Sequence, residues 1–205
     1  MVIGVTGGYC AGKDAAVSVL SRLGIIEINE DRIGHETLHV LKNRIVDEFG
    51  IRIQKSNGEI DRKVLGTIVF SDQKDLERLE RIVHPAMVAE TRKRITQERE
   101  RNLMINAAIL HRMGLHLLCD VVLVINAPFL VRFIRAKKRD GLSCRQTFQR
   151  MRTQRLQRQN TVIENRFLNE KGENVDTVIV RNGGTRSALA KRLRRVLSEL
   201  GITGR

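Results

Sequence analysis

Apolar residues fall along this chain in two rhythms. Short, nearly unbroken runs occur at Val2-Ile3-Gly4-Val5-Thr6, at Ile25, Ile26 and Ile28, at Leu103-Met104-Ile105, at Val121 to Ile125 and at Val178-Ile179-Val180. Between them, apolar side chains recur at helical spacing: Ala15, Ala16, Val19, Leu20 and Leu23, then Ile33, Leu38, Leu41, Ile45 and Phe49, and finally Leu189, Leu193, Val196, Leu197 and Leu200. The first rhythm predicts buried strands and the second amphipathic helices. Continuous β-branched runs such as Val121 to Ile125 suit a parallel sheet covered on both faces. Strands alternating with helices imply right-handed crossovers. Gly24 stops the first helix, and the second runs from about Asp31 to near Gly50. Residues 51–58 read as a small hairpin or loop excursion. Two helices follow, one over 62–70 and one from Asp72 with Ser71 as its N-cap. Pro85 starts or restarts a long helix of mixed charge, since proline is tolerated in a first turn. Helices fill 129–138 and 143 to about 159.

The expected architecture is a three-layer α/β fold with a central parallel sheet of about five strands. A single domain over 1–205 carries two helical insertions, one at about 61–97 and a basic one at about 132–159. Insertions over strand ends are where substrate sites and lids are built. With 205 residues, 41% hydrophobic and 29% charged, the chain has the composition of a folded protein. No apolar run is long enough to cross a bilayer, and nothing suggests export. Cys10, Cys119 and Cys144 lie far apart and form neither a metal-ligand spacing nor a disulfide framework, so a reducing cytoplasm is expected.

The net charge of +14 points to polyanionic partners, either nucleic acid or a small ligand with several phosphates. Between Arg132 and Arg158 there are ten lysines and arginines against one acid, Asp140. Aromatic residues are only 3% and Trp is absent, which argues against base-stacking surfaces and makes nucleic acid the weaker choice.

Candidate chemistry opens the chain. Gly7, Gly12 and Lys13 complete a G-x-x-x-x-G-K spacing between the first strand and the first helix. Glycines let such a loop fold tightly, so that backbone N–H groups face phosphate oxygens and the lysine reaches the β- and γ-phosphates. The motif asks for Ser or Thr next, and Asp14 stands there instead. Three readings stay open. Asp14 is a Mg²⁺ ligand, since that ion prefers hard oxygens; or it is a helix-start residue pointing away; or the loop has lost catalysis.

Several further stretches resemble the dephospho-coenzyme A kinase family. They are VIGVTGG with GK, LGIIEINEDRIGHETL, GEIDRKVLGTIVFSD, IVHP, DVVLVINAP and RDGLS. The likeness covers nearly the whole chain. It implies transfer of the γ-phosphoryl group of ATP, with Mg²⁺, to the ribose 3′-hydroxyl of dephospho-coenzyme A. It implies that Gly8, Tyr9, Cys10, Ala11, Gly12, Lys13, Asp14 and Ala15 hold the nucleotide. Lys13, Asp31 and Arg139 would be catalytic: Asp31 as the carboxylate that accepts the hydroxyl proton or helps hold the metal, Arg139 as the lid arginine that approaches the transferred phosphate. Asp31, His84 and Arg139 would contact the acceptor. Each residue also has a plainer reading: Asp31 as a helix N-cap, Arg139 as a surface charge, His84 as a packed or capping histidine.

The chain departs from that family's pattern at four carboxylate positions, one of them Arg112, where a glutamate is common. Asn29 replaces the first of two aspartates after the second strand, Asn106 replaces the aspartate ending the third, and Asp14 is added in the loop. Asp14 is therefore expected to restore in part an anionic metal site weakened at Asn106. Two other functions remain: a kinase of another nucleoside-like substrate, or an impaired paralogue that binds nucleotide or nucleic acid.

Overall fold

The computed structural model describes residues 1–141, 143–149, 151 and 166–202. Contacts divide the chain into two compact units, Met1–Ile28 with Glu98–Arg205, and Asn29–Gln97.

The first unit is built on the sheet. Strands β1 (Val2–Gly7), β2 (Ile26–Asn29), β3 (Leu103–Asn106), β4 (Val121–Asn126), β5 (Arg166–Leu168) and β6 (Asn174–Arg181) lie in the order β2-β3-β1-β4-β6-β5. β1 pairs in parallel with β3 and β4, and β4 with β6. Helices α1 (Lys13–Arg22) and α8 (Arg186–Glu199) cover one face. Leu20 from α1 and Leu189, Leu193 and Leu197 from α8 bury against Ile3, Val5, Leu123 and Ile125. Each such side chain contributes roughly 1.5–3 kcal/mol relative to exposure. On the other face, Gly4 lets the segment after β3 come close: a Cβ there would lie 2.8 Å from Leu110 Cδ2 and 2.9 Å from Cys119 Sγ. Helices α6 (Phe129–Asp140) and α7 (144–149) follow β4. The part of the expected 143–159 helix beyond residue 151 lies outside the described residues.

The parallel strands stand as expected. The addition is β5, a three-residue edge strand that pairs antiparallel with β6, Leu168 opposite Asn174. Arg-Phe-Leu is too short to carry a period, so pairing with β6 and the turn behind it define this strand. In that turn Asn169 Oδ1 accepts from Lys171 N (3.0 Å) and Glu173 N (2.9 Å).

The second unit is helical: α2 (Glu30–Val40), α3 (Lys42–Phe49), a 3₁₀ turn (Ile51–Ile53), α4 (Arg62–Ser71) and α5 (Gln73–Gln97). Three expectations are corrected here. The helix foreseen from Asp31 to Gly50 breaks at Leu41, a residue that ends α2 and begins α3. The break lets Ile33 on α2 and Ile45 and Phe49 on α3 all be buried. Ser71 closes α4 instead of capping α5; Asp72 Oδ1 accepts from Lys74 N at 2.8 Å. Pro85 neither starts nor restarts a helix, because α5 runs through it without interruption. An interior proline costs about 3 kcal/mol. Burial of Ile82, Val83, Met87 and Thr91 on either side of it offsets that cost.

One buried acid stands out in this unit. Glu30, in the first turn of α2, is 3% exposed. Its Oε1 lies 2.7 Å from Thr91 Oγ1, which is also 2.9 Å from Met87 O. Its Oε2 has no partner among the described residues. Burial pushes its carboxyl up to about 7, against opposing pulls from Thr91 and Arg94. A hydroxyl carries a single proton, so a protonated Glu30 lets both Thr91 contacts be hydrogen bonds.

Candidate active site

The loop between β1 and α1 is held from outside. Ala11 N donates to Gly8 O (2.9 Å), which closes the turn. Cys10 takes a left-handed φ of 55° and Gly12 one of 91°. Three donors seize the loop's carbonyls. Arg132 Nε reaches Tyr9 O (2.8 Å), and Asn182 Nδ2 reaches Ala11 O (2.8 Å). Arg135 Nη1 reaches Ala11 O (3.4 Å) and Asn182 O (3.0 Å). Carbonyl and N–H point opposite ways across a peptide, so tying the carbonyls outward turns N–H groups toward the loop's interior. The start of α1 adds positive potential there. Gly12 is required on two counts: its φ, and a Cβ that would lie 2.2 Å from Asn182 Nδ2. Asn182, Arg132 and Arg135 were not among the residues expected at the site. The sequence reading places the two arginines only in the basic run and does not single out Asn182.

Lys13 opens α1, its side chain 15% exposed. Its Nζ donates to Asn106 Oδ1 at the end of β3. Asn106 Nδ2 donates in turn to Glu27 Oε1 at 2.6 Å. An amide thus bridges an ammonium and a carboxylate. Asp14 is placed differently: its carboxylate is 86% exposed and 3.7 Å from Lys13 Nζ. The carboxylate that hydrogen-bonds Asn106 is Glu27 of β2, which the sequence reading does not single out.

Arg139 lies in the last turn of α6. Its Nε and Nη2 donate to the two carboxylate oxygens of Asp140 (2.8 and 3.2 Å). Its guanidinium carbon sits 5.0 Å from the centre of the Tyr9 ring, and the Tyr9 hydroxyl donates to Asp140 Oδ2. The structure therefore brings Arg139 to the loop. Gly8 and Ala15 flank the loop, Gly8 through the turn and Ala15 within α1.

Asp31 and His84 belong to the second unit. Asp31 is an exposed residue of the first turn of α2. The N-cap role is taken by Asn29, whose Oδ1 accepts from Arg32 N at 3.0 Å. His84 lies half-buried in the interior of α5, so it does not cap a helix start.

A parallel sheet whose first strand runs through a G-x-x-x-x-G-K loop into a helix, with lysine and arginine side chains at that loop, defines a nucleotide-binding protein of the P-loop class. The family model for dephospho-CoA kinase (CoaE) matches residues 1–176, and the chain belongs to that family. The dephospho-CoA kinase of Borreliella burgdorferi is 40% identical over 128 residues, a stretch spanning 62% of this chain and 62% of that protein. That of Treponema denticola is 29% identical over 213 residues, 98% of this chain and 91% of the relative. Two solved structures share the fold at 23% identity. TT1252 from Thermus thermophilus has a TM-score of 0.75 and the alignment covers 98% of this chain and 97% of the other. The dephospho-CoA kinase from Campylobacter jejuni has a TM-score of 0.66 with 97% and 96% covered. The expected P-loop fold is borne out.

Proposed function

We propose that this protein transfers the γ-phosphoryl group of ATP to the ribose 3′-hydroxyl of dephospho-coenzyme A, giving coenzyme A and ADP. One observation carries the reading: an outwardly anchored phosphate loop sits at the start of a chain whose residues 1–176 match the dephospho-CoA kinase family. Phosphoryl transfer asks for positioning and charge neutralisation more than for covalent chemistry. Backbone N–H groups from Gly8 to Ala15 cradle the phosphates. Lys13, held by Asn106, and Arg139, held by Asp140, bring positive charge to the oxygens of the group in flight. Asp31, relieved of capping by Asn29, orients the accepting hydroxyl and takes its proton. His84 contributes to the acceptor side.

Mg²⁺ fits this donor set. It is held by one or two carboxylates with phosphates and water completing its shell. The solvent-facing carboxylate of Asp14, at the start of α1, supplies such an oxygen. Nucleotide phosphate oxygens and water would supply further ligands. The ion would neutralise charge on the β- and γ-phosphate oxygens.

No helix among the described residues is long and apolar enough to cross a membrane. The cysteines Cys10, Cys119 and Cys144 are free thiols, which suits the cytoplasm. Incubation with ATP, Mg²⁺ and dephospho-coenzyme A tests the reading, with ADP and coenzyme A as expected products. Phosphorylation of a nucleoside instead, or salt-sensitive nucleic-acid binding without turnover, would replace it.

A further inference from the structure

Tyr9 occupies a loop position where the phosphate-binding motif places no demand on the side chain, yet its side chain meets two residues of α6. Its hydroxyl donates to Asp140 Oδ2, and its ring lies under the Arg139 guanidinium, 5.0 Å from the guanidinium carbon. Its own carbonyl is tied to α6 by Arg132 Nε at 2.8 Å. Asp140 receives Arg139 on both oxygens, at 2.8 and 3.2 Å. Neighbouring residues on a helix point in different directions, so an Arg–Asp fork between adjacent positions needs an external anchor. The phenol and its ring supply one.

We infer that Tyr9 is a positioning residue for Arg139, acting through Asp140 and through its own ring face. The inference rests on the kinase reading, in which Arg139 meets the transferred phosphoryl group. Arg139 is 55% exposed, and an exposed arginine side chain samples many rotamers. Asp140, only 18% exposed, and the Tyr9 ring narrow that range. Because Tyr9 is part of the loop, the guanidinium is placed relative to the same backbone that holds the phosphates. Charge aimed in advance at the transition state, with no reorganisation at the moment of transfer, raises the rate without tightening substrate binding. Arg132 and Arg135 act differently: they grip loop carbonyls, and their loss would deform the loop itself.

The composition supplies the probe. Tyr9 is the only tyrosine and there is no tryptophan, so intrinsic emission and phenol titration report on this one side chain. D140N should raise Tyr9 emission by removing a carboxylate acceptor, and should move phenol ionisation to lower pH by removing a nearby negative charge. Y9F keeps the ring but loses the donated bond. It should lower kcat about fivefold to tenfold while leaving KM for ATP and for dephospho-coenzyme A within about twofold. Y9F should also keep the wild-type unfolding midpoint, which separates positioning from loss of fold. Unchanged Tyr9 emission and titration in D140N would overturn the contact. Wild-type kcat in Y9F would overturn the positioning role while leaving the kinase reading intact. Failure of the wild-type protein to make coenzyme A would overturn the kinase reading and this role with it.

Discussion

Glu30 makes the stability of this protein depend on pH in a direction opposite to that of a salt-bridged acid. Its carboxyl is held at about 7 against an ordinary 4.5, mainly by burial. Below pH 4.5 the group is protonated whether the chain is folded or not, and the full stability is present. As pH rises toward 7 the unfolded chain releases this proton while the folded chain retains it, and stability falls. Above 7 both forms are ionised and the loss is constant. At about 1.4 kcal/mol for each pH unit between 4.5 and 7, the loss reaches roughly 3 kcal/mol. That is a large share of the roughly 5–15 kcal/mol that holds a typical domain folded. Glu30→Gln preserves shape and a polar partner for Thr91 but cannot ionise. Urea unfolding of the two proteins should give equal stabilities near pH 4.5 and an advantage to the Gln variant that grows to about 3 kcal/mol by about pH 8. Because every other titrating group is common to both proteins, the difference isolates Glu30. A difference that stays constant across this pH range would refute the reasoning, since it would mean that Glu30 ionises alike in both states.

Other outcomes follow from the loop. Gly12→Ala places a methyl 2.2 Å from Asn182 Nδ2 at a φ of 91°, so the Asn182 bond to Ala11 O must break. Affinity for an ATP analogue should fall by more than about tenfold, as titration calorimetry would show. Glu27→Gln weakens the hold on Asn106 and through it on Lys13. Glu27 is exposed, so the rise in KM for ATP should be only about twofold to threefold at low salt and should vanish near about 0.5 M salt in steady-state assays. Asp14→Ser should change the Mg²⁺ concentration needed for half-maximal rate by several-fold, roughly the effect of one carboxylate ligand. An unaltered Mg²⁺ titration would mean that Asp14 is not a ligand.

The loop was legible because its parts are contiguous. Gly7, Gly12 and Lys13 are spaced by local backbone geometry, and the apolar runs on either side announce β1 and α1. The strands β3, β4 and β6 were equally plain, since short unbroken apolar runs suit a sheet covered on both faces. Helix boundaries were less so. Leu41 sits in the middle of a continuous helical stripe, and Pro85 carries a local signal for a helix start. Packing overrode both, because buried apolar surface outweighs the loss of one or two backbone hydrogen bonds.

The site's polar partnerships lay beyond the reach of any local pattern. Glu27 meets Asn106 across 79 positions, Tyr9 meets Asp140 across 131, and Asn182 meets Ala11 across 171. The carboxylate that hydrogen-bonds Asn106 comes from the edge strand β2. Chain-local chemistry dictated that a phosphate loop would form and where. Strand order dictated which side chains would stand around it, because parallel crossovers bring the carboxyl ends of β1, β3 and β4 together irrespective of their separation in sequence.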